Sequence, residues 1–244
     1  MPQQNRGMSE SHDGQRVDRR TVLRAAGVSA LAVAGLGAAG AACAQPGDSG
    51  LITRALPGSA ERVPVIGLGT FMTFDRIASA DRRFIPEVLR TFFDGGGRVV
   101  DTSALYGASE DNVGEFAREL GVTDRLFLTD KSWACGEYLF DSSHADRQFA
   151  RSLERLHRER LDVVGVHSMT NVGMILPILR RLKGEGKIRY VGVTSHEAYQ
   201  YAGMEGLIQG GVVDFVQVRY SIFQRAAAER VLAVAADRGG WGSW

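Results

Sequence analysis

From about residue 61 onward, short apolar runs alternate with amphipathic ones. The runs at 65–69, 98–101, 126–130, 162–167, 189–194 and 213–218 predict strands. Each is apolar on successive residues, which predicts burial on both faces, as in a parallel sheet. Helical patterns lie between them. Phe84, Ile85, Val88, Leu89, Phe92 and Phe93 recur at helical spacing, and Gly95-Gly96-Gly97 stops that helix. Ser109 is placed to cap the next one, which should end at Leu120-Gly121. Further helices are predicted near 144–157, 174–184, 197–209 and 225–237.

Strand starts at 65, 98, 126, 162, 189 and 213 give the rhythm of β-α units. A doubly wound sheet would open with a glycine fingerprint at the first strand-helix turn. Here Gly67-Leu68-Gly69 runs into Thr70-Phe71-Met72, with no third glycine and no helix start. A (β/α) barrel instead gathers its chemistry at the carboxyl ends of successive strands. Asp101, Asp130-Lys131, His167, Thr194-Ser195 and Gln217 all sit there. The expected fold is therefore α/β, a (β/α)8 TIM-barrel type with about six of eight units in this sequence. A seventh strand should begin after Asp237-Arg238-Gly239, where Gly240-Trp241-Gly242-Ser243-Trp244 follows instead. That ending reads as a truncation or altered frame, the other reading being a short form completed by a partner chain.

The 244 residues carry 29 Lys and Arg against 28 Asp and Glu, which gives no electrostatic reason to expect nucleic acid as a partner. The charge is uneven, however. Residues 1–44 hold five Arg against Glu10, Asp13 and Asp18, a local net of +2, so the remainder is −1. Arg19-Arg20 precedes an uncharged, Ala- and Gly-rich run over 25–44 that ends in Ala42-Cys43-Ala44. A basic start, a weakly apolar stretch and a small-residue end predict a twin-arginine-type signal at 1–44 and export to the periplasm or medium. The alternatives are a membrane anchor in that run or lipidation at Cys43. Any membrane contact would come through this segment alone. Without it only Cys135 remains, so no internal disulfide is expected. Pro46, Gly47, Asp48, Ser49, Gly50, Pro57 and Gly58 make 45–60 a linker, which leaves 61–244 as the barrel domain.

Asp101 ends the second strand and Tyr106 follows five residues later; Lys131 ends the third strand and His167 the fourth. Together they form an acid-base set. Tyrosine titrates near ~10 unperturbed, and a neighbouring ammonium is expected to lower that value. Asp101 can hold the lysine, and histidine can orient a carbonyl oxygen by hydrogen bonding. Taken singly, each has a plainer reading: a turn aspartate, a surface lysine, a satisfied strand-end histidine. Likewise Thr194-Ser195 could simply cap a helix. Four suitable residue types on three consecutive strand ends are hard to explain as packing.

These residues lie in segments that resemble the aldo-keto reductase family. The carrying stretches are Val63-Pro64-Val65-Ile66-Gly67-Leu68-Gly69-Thr70, the run from Arg98 to Gly107 with Ser109-Glu110, Lys131-Ser132-Trp133, the run from Leu161 to His167, that from Gly186 to Ser195, and Phe215-Val216-Gln217. The resemblance implies NADPH-dependent reduction of aldehydes or ketones by hydride transfer, without metal, with a small carbonyl compound as partner. It places Asp101, Tyr106, Lys131 and His167 on the catalytic tetrad. Thr70, Asp101, Thr194, Ser195 and Gln217 fall at cofactor contacts, Ser195 standing where the family usually has asparagine. Trp133 falls at the wall of the substrate pocket. The family's groups for the adenosine 2′-phosphate, the pyrophosphate and an aromatic on the nicotinamide are expected beyond this sequence. The rival class is a non-catalytic barrel fragment or binding protein that keeps the tetrad by descent. Neither the physiological carbonyl nor the oligomeric state is legible.

Overall fold

The computed structural model describes residues 50–133 and 142–238. Six strands form one parallel sheet in sequence order: β3 (Gly67–Gly69), β4 (Val99–Asp101), β5 (Phe127–Ser132), β6 (Leu161–Val166), β7 (Ile188–Ser195) and β8 (Phe215–Val218). Helices α1 (Phe84–Asp94), α2 (Ser109–Glu119), α3 (Ser143–Arg155), α4 (Val172–Gly184) and α5 (Tyr201–Gln209) follow β3 to β7 in turn, and α6 (Ala226–Glu229) and α7 (Val231–Asp237) follow β8. This is the parallel half-barrel of a (β/α) fold. Among the described residues, β3 and β8 are each paired on one side. Residues 1–44, where a signal is expected, Cys135 and residues 239–244 lie outside the described residues.

The period-two alternation of the strands explains why both faces are apolar. Val100, Leu128 and Val164 point outward into the layer shared with Ile85, Leu89 and Val113. Their neighbours Val99, Phe127 and Val163 point inward and meet Phe215. Further along the same inward rows stand Asp101, Thr129, Lys131, Thr194 and Gln217. Each inward row therefore changes from apolar at its amino end to polar at its carboxyl end. Gly165 and Gly192 keep the middle narrow: a Cβ on Gly165 would lie 3.1 Å from the Thr194 methyl, and one on Gly192 would lie 3.1 Å from the Phe215 carbonyl oxygen.

Three expectations need correcting. Part of the 45–60 linker is structured: β1 (Thr53–Ala55) pairs antiparallel with β2 (Arg62–Pro64), and Leu56 and Val63 are buried against Val99, Phe127 and Phe215. The turn-forming residues there serve a hairpin, held in place by burial of those two side chains. Ser109 does not cap α2. It is the first helical residue, and its hydroxyl is donated to the Thr70 carbonyl at 3.3 Å. The helix expected over 225–237 breaks at Arg230, whose guanidinium pairs with Glu205 of α5 at 2.7 Å.

Candidate active site

Asp101 at the end of β4 is clamped from β5. Lys131 Nζ donates to both of its carboxylate oxygens, at 2.7 and 2.8 Å, and to the Thr102 carbonyl at 2.7 Å. Those three contacts hold the ammonium in place, and the Tyr106 phenol also comes within its reach. Thr129 Oγ1 adds a donation to Asp101 at 2.6 Å. The lysine side chain is only 4% exposed, so this is a buried ion pair whose partners depend on each other.

Tyr106 stands on the turn after β4. The turn is closed by its own N–H donating to the Ser103 carbonyl at 2.9 Å. The loop after β3 clasps it: the Ala108 N–H donates to Asp75 at 2.9 Å, and Asn112 Nδ2 donates to the Phe74 and Arg76 carbonyls at 2.6 and 2.8 Å. Gly107 adopts a left-handed φ of 57°, and a Cβ there would fall 2.1 Å from the Asp75 carboxylate. Only glycine fits that corner.

The Tyr106 ring lies with its centroid 4.9 Å from Lys131 Nζ and edge-on to His167 at 5.7 Å. His167 lies just past the end of β6 and opens a 3-10 turn. Its Nδ1 is 3.2 Å from the Ser103 hydroxyl. Burial, reinforced by the Lys131 charge, brings the imidazole down to about 4, so the ring is neutral at physiological pH. The tyrosine departs from expectation. Lys131 does pull its phenol down, but burial outweighs that pull and Asp101 opposes it, so the phenol stays above its ordinary value. It is a protonated group throughout the neutral range.

Stability should follow the histidine. Below its ordinary value of 6.5 the unfolded chain takes up a proton that the folded site refuses down to about 4. Stability is therefore expected to fall as pH drops through that window, and His167→Asn should remove this contribution. Urea midpoints of parent and variant at the two ends of the window check it; identical pH dependence would show that the ring titrates normally.

Tyr106, Lys131, His167, Thr194, Ser195 and Gln217 line one open cavity of about 210 Å³. Asp101 stands directly behind Lys131. Two expected residues are elsewhere. Thr70 is fully buried and gives its hydroxyl to the Asp101 carbonyl at 3.0 Å, which makes it a brace for Asp101 rather than a cavity wall. Half-buried Trp133 is not among the cavity-lining residues; its N–H is fixed by Gln148 at 2.7 Å. Ser168, His196 and Arg219 also line the cavity and went unread in the sequence. Arg219, two residues after Gln217, was open to the same strand-end rule.

The cavity's far wall comes from β7 and β8, where Thr194 is in register with Gln217. Thr194 Oγ1 accepts from the Ser168 N–H at 2.9 Å and keeps its own hydrogen. Ser168, Met169 and Asn171 all have left-handed φ values near 50°, a strained loop concentrated at the site. Among the described residues, no hydrogen bond engages the Gln217 amide.

Comparison with known proteins gives the following. The family model described as "Aldo/keto reductase family" matches residues 65–241. An aldo-keto reductase of Bacillus subtilis, YhdN, is 29% identical over 186 residues, covering 70% of this chain and 54% of that protein. The NADH-specific methylglyoxal reductase of Escherichia coli is 31% identical over 201 residues, 71% of this chain and 60% of its own length. This chain spans about half the length of the first curated relatives it matches. A Klebsiella pneumoniae aldo/keto reductase solved with NADP and acetate superposes with a TM-score of 0.61 at 28% identity, covering 73% of this chain and 62% of that one. One solved with NADPH from the same organism gives 0.64 at 26%, covering 78% and 66%.

Proposed function

This chain belongs to the aldo/keto reductase family, and from that premise we propose that it reduces an aldehyde or ketone to an alcohol using a nicotinamide dinucleotide, NADPH in the first instance. The observation that carries the reading is the Lys131 ammonium. It is buried, held by Asp101 and Thr102, and within reach of the Tyr106 phenol, with the His167 ring edge-on to that tyrosine at one cavity.

The polar ends of β7 and β8 fit the cofactor: the Thr194 hydroxyl and the unengaged Gln217 amide suit a carboxamide, the Ser195 hydroxyl being held by Gln200 and the Glu197 N–H, and the Arg219 charge suits an anionic group. When bound, the cofactor supplies the hydride. The chain's own residues handle the proton. Tyr106, kept as a neutral phenol by burial, gives its hydrogen to the carbonyl oxygen. Lys131 stabilises the phenolate that results, and Asp101 fixes the lysine so that no reorganisation is needed at that moment. Neutral His167, held by Ser103, offers a hydrogen bond that orients the carbonyl.

Quenching of protein fluorescence by NADPH, run beside carbonyl-dependent loss of NADPH absorbance, tests the reading. Saturable quenching together with turnover of methylglyoxal or a similar small carbonyl is the expected result. Binding without turnover would instead favour a binding protein that keeps the residues by descent, and no binding would end the cofactor assignment. The same titration with NADH decides between cofactors, since a relative is NADH-specific by name.

A further inference from the structure

The charges on the cavity wall do not cancel. Among the described residues, no aspartate or glutamate lines it. The Lys131 ammonium is neutralised from behind by Asp101 at 2.7 Å, and His196 faces Glu197 at 3.0 Å. That leaves Arg219. Among the described residues, no carboxylate pairs with its guanidinium and no hydrogen bond engages it.

The strand pattern aims this residue. Along β8, Phe215 and Gln217 belong to the inward row, while Val216 and Val218 pack against the outer core. Arg219 continues the ladder by one step, its N–H donating to the Ser195 carbonyl at 3.3 Å. Its side chain therefore leaves on the inward side, about 7 Å along the row from Gln217.

An anionic group entering the cavity meets this uncompensated cation, whereas a neutral group leaves the guanidinium to water. Two sources supply such an anion: the pyrophosphate of the cofactor and a carboxylate on the substrate. Size favours the second. At about 210 Å³ the cavity is smaller than the roughly 300–1,000 Å³ of pockets for drug-sized ligands. It takes a small carbonyl compound beside the tip of a dinucleotide, and not the phosphates behind that tip.

We infer that Arg219 selects the substrate: the compound reduced carries a carboxylate a few bonds from its aldehyde or ketone carbon. The carbonyl oxygen lies at Tyr106 and His167 and the carboxylate on Arg219. All three residues line the one cavity, so a single small molecule reaches them together. A guanidinium matches a carboxylate with two parallel N–H groups. Only the carbonyl half of that substrate rests on the reduction reading; the anion contact stands on the cavity wall alone.

The probes are 4-oxobutanoate and its uncharged amide, 4-oxobutanamide, which present the same aldehyde with and without the charge. Calorimetric titration of the full chain without NADPH, so that nothing turns over, should show the carboxylate binding about tenfold more tightly. That is the low end for a hydrogen bond to a charged group, because Arg219 is exposed. Arg219→Gln should level the two probes, and Arg219→Lys should keep part of the preference. With NADPH present, the same preference of about tenfold should appear in kcat/KM and be carried by KM. Equal binding of the two probes by the parent overturns the proposal, and so does a preference that survives in Arg219→Gln. If Arg219→Gln weakens NADPH binding and leaves the preference alone, the anion belongs to the cofactor and the proposal falls. Carboxylate-selective binding lost in Arg219→Gln, with no turnover of either probe, would keep the anion contact and end the reduction reading instead.

Discussion

Tyr106→Phe is expected to abolish carbonyl reduction and to leave NADPH binding nearly unchanged. The ring is held by its faces and edges: Phe71 at 4.9 Å, His167 edge-on at 5.7 Å and the Lys131 ammonium at 4.9 Å. These ring contacts do not need the hydroxyl, which reaches only toward Lys131, so phenylalanine should occupy the same place. What disappears is the phenolic O–H beside the Lys131 ammonium. An interaction made only as charge develops on the carbonyl oxygen is lost from kcat rather than from substrate affinity. A drop of roughly 10²–10⁴-fold in turnover is the scale for removing a general acid. Stopped-flow turnover alongside an NADPH titration checks both halves, and retained turnover would remove Tyr106 from the chemistry.

Gly114→Ala should have the largest effect on stability of any single methyl added to the helices. In an open helix this change helps, since glycine costs roughly 0.5–1 kcal/mol relative to alanine. Here the added Cβ would fall 1.9 Å from the Arg155 carbonyl oxygen and 2.9 Å from the Leu156 Cα. Both are backbone atoms where α3 ends against α2, and backbone cannot rotate aside. Overpacking of this kind costs typically ~1–3 kcal/mol, and separating the two helices also loosens the Arg155–Glu110 pair behind the site. The clash outweighs the propensity gain. A fall in Tm of roughly 2–8 °C follows for a net loss of about 1–2 kcal/mol in a chain of this size. An unchanged or raised Tm would mean that the helices do not meet at Gly114.

Much of this arrangement was legible beforehand because it depends on local periodicity. Each of the six predicted strands has a counterpart whose ends lie within a few residues, since a strand buried on both faces writes itself as a continuous apolar run. Placing the chemistry at strand ends followed from the same pattern, as a polar residue closing an apolar strand has one mouth to face. That logic brought Tyr106, Lys131, His167, Thr194, Ser195 and Gln217 to one cavity. Thr70 and Trp133, which the resemblance rather than this pattern singled out, do not line that cavity. Thr70 answers to the Asp101 carbonyl, and the Trp133 backbone answers to Gln148.

By itself, then, the sequence determined the order of the elements, the parallel sheet and which residue types meet at its carboxyl edge. All of these are set by spacing along one chain. Only the tertiary structure decided the electrostatics. Tyr106 was expected to be lowered by its lysine, yet burial, which no linear pattern records, sets the opposite direction. Asp130 read as one more polar residue at a strand end. Packing instead encloses it almost completely, and burial raises its carboxyl well above the usual carboxylate range. Alternation tells which way a side chain points; desolvation and countercharge depend on everything that then closes over it.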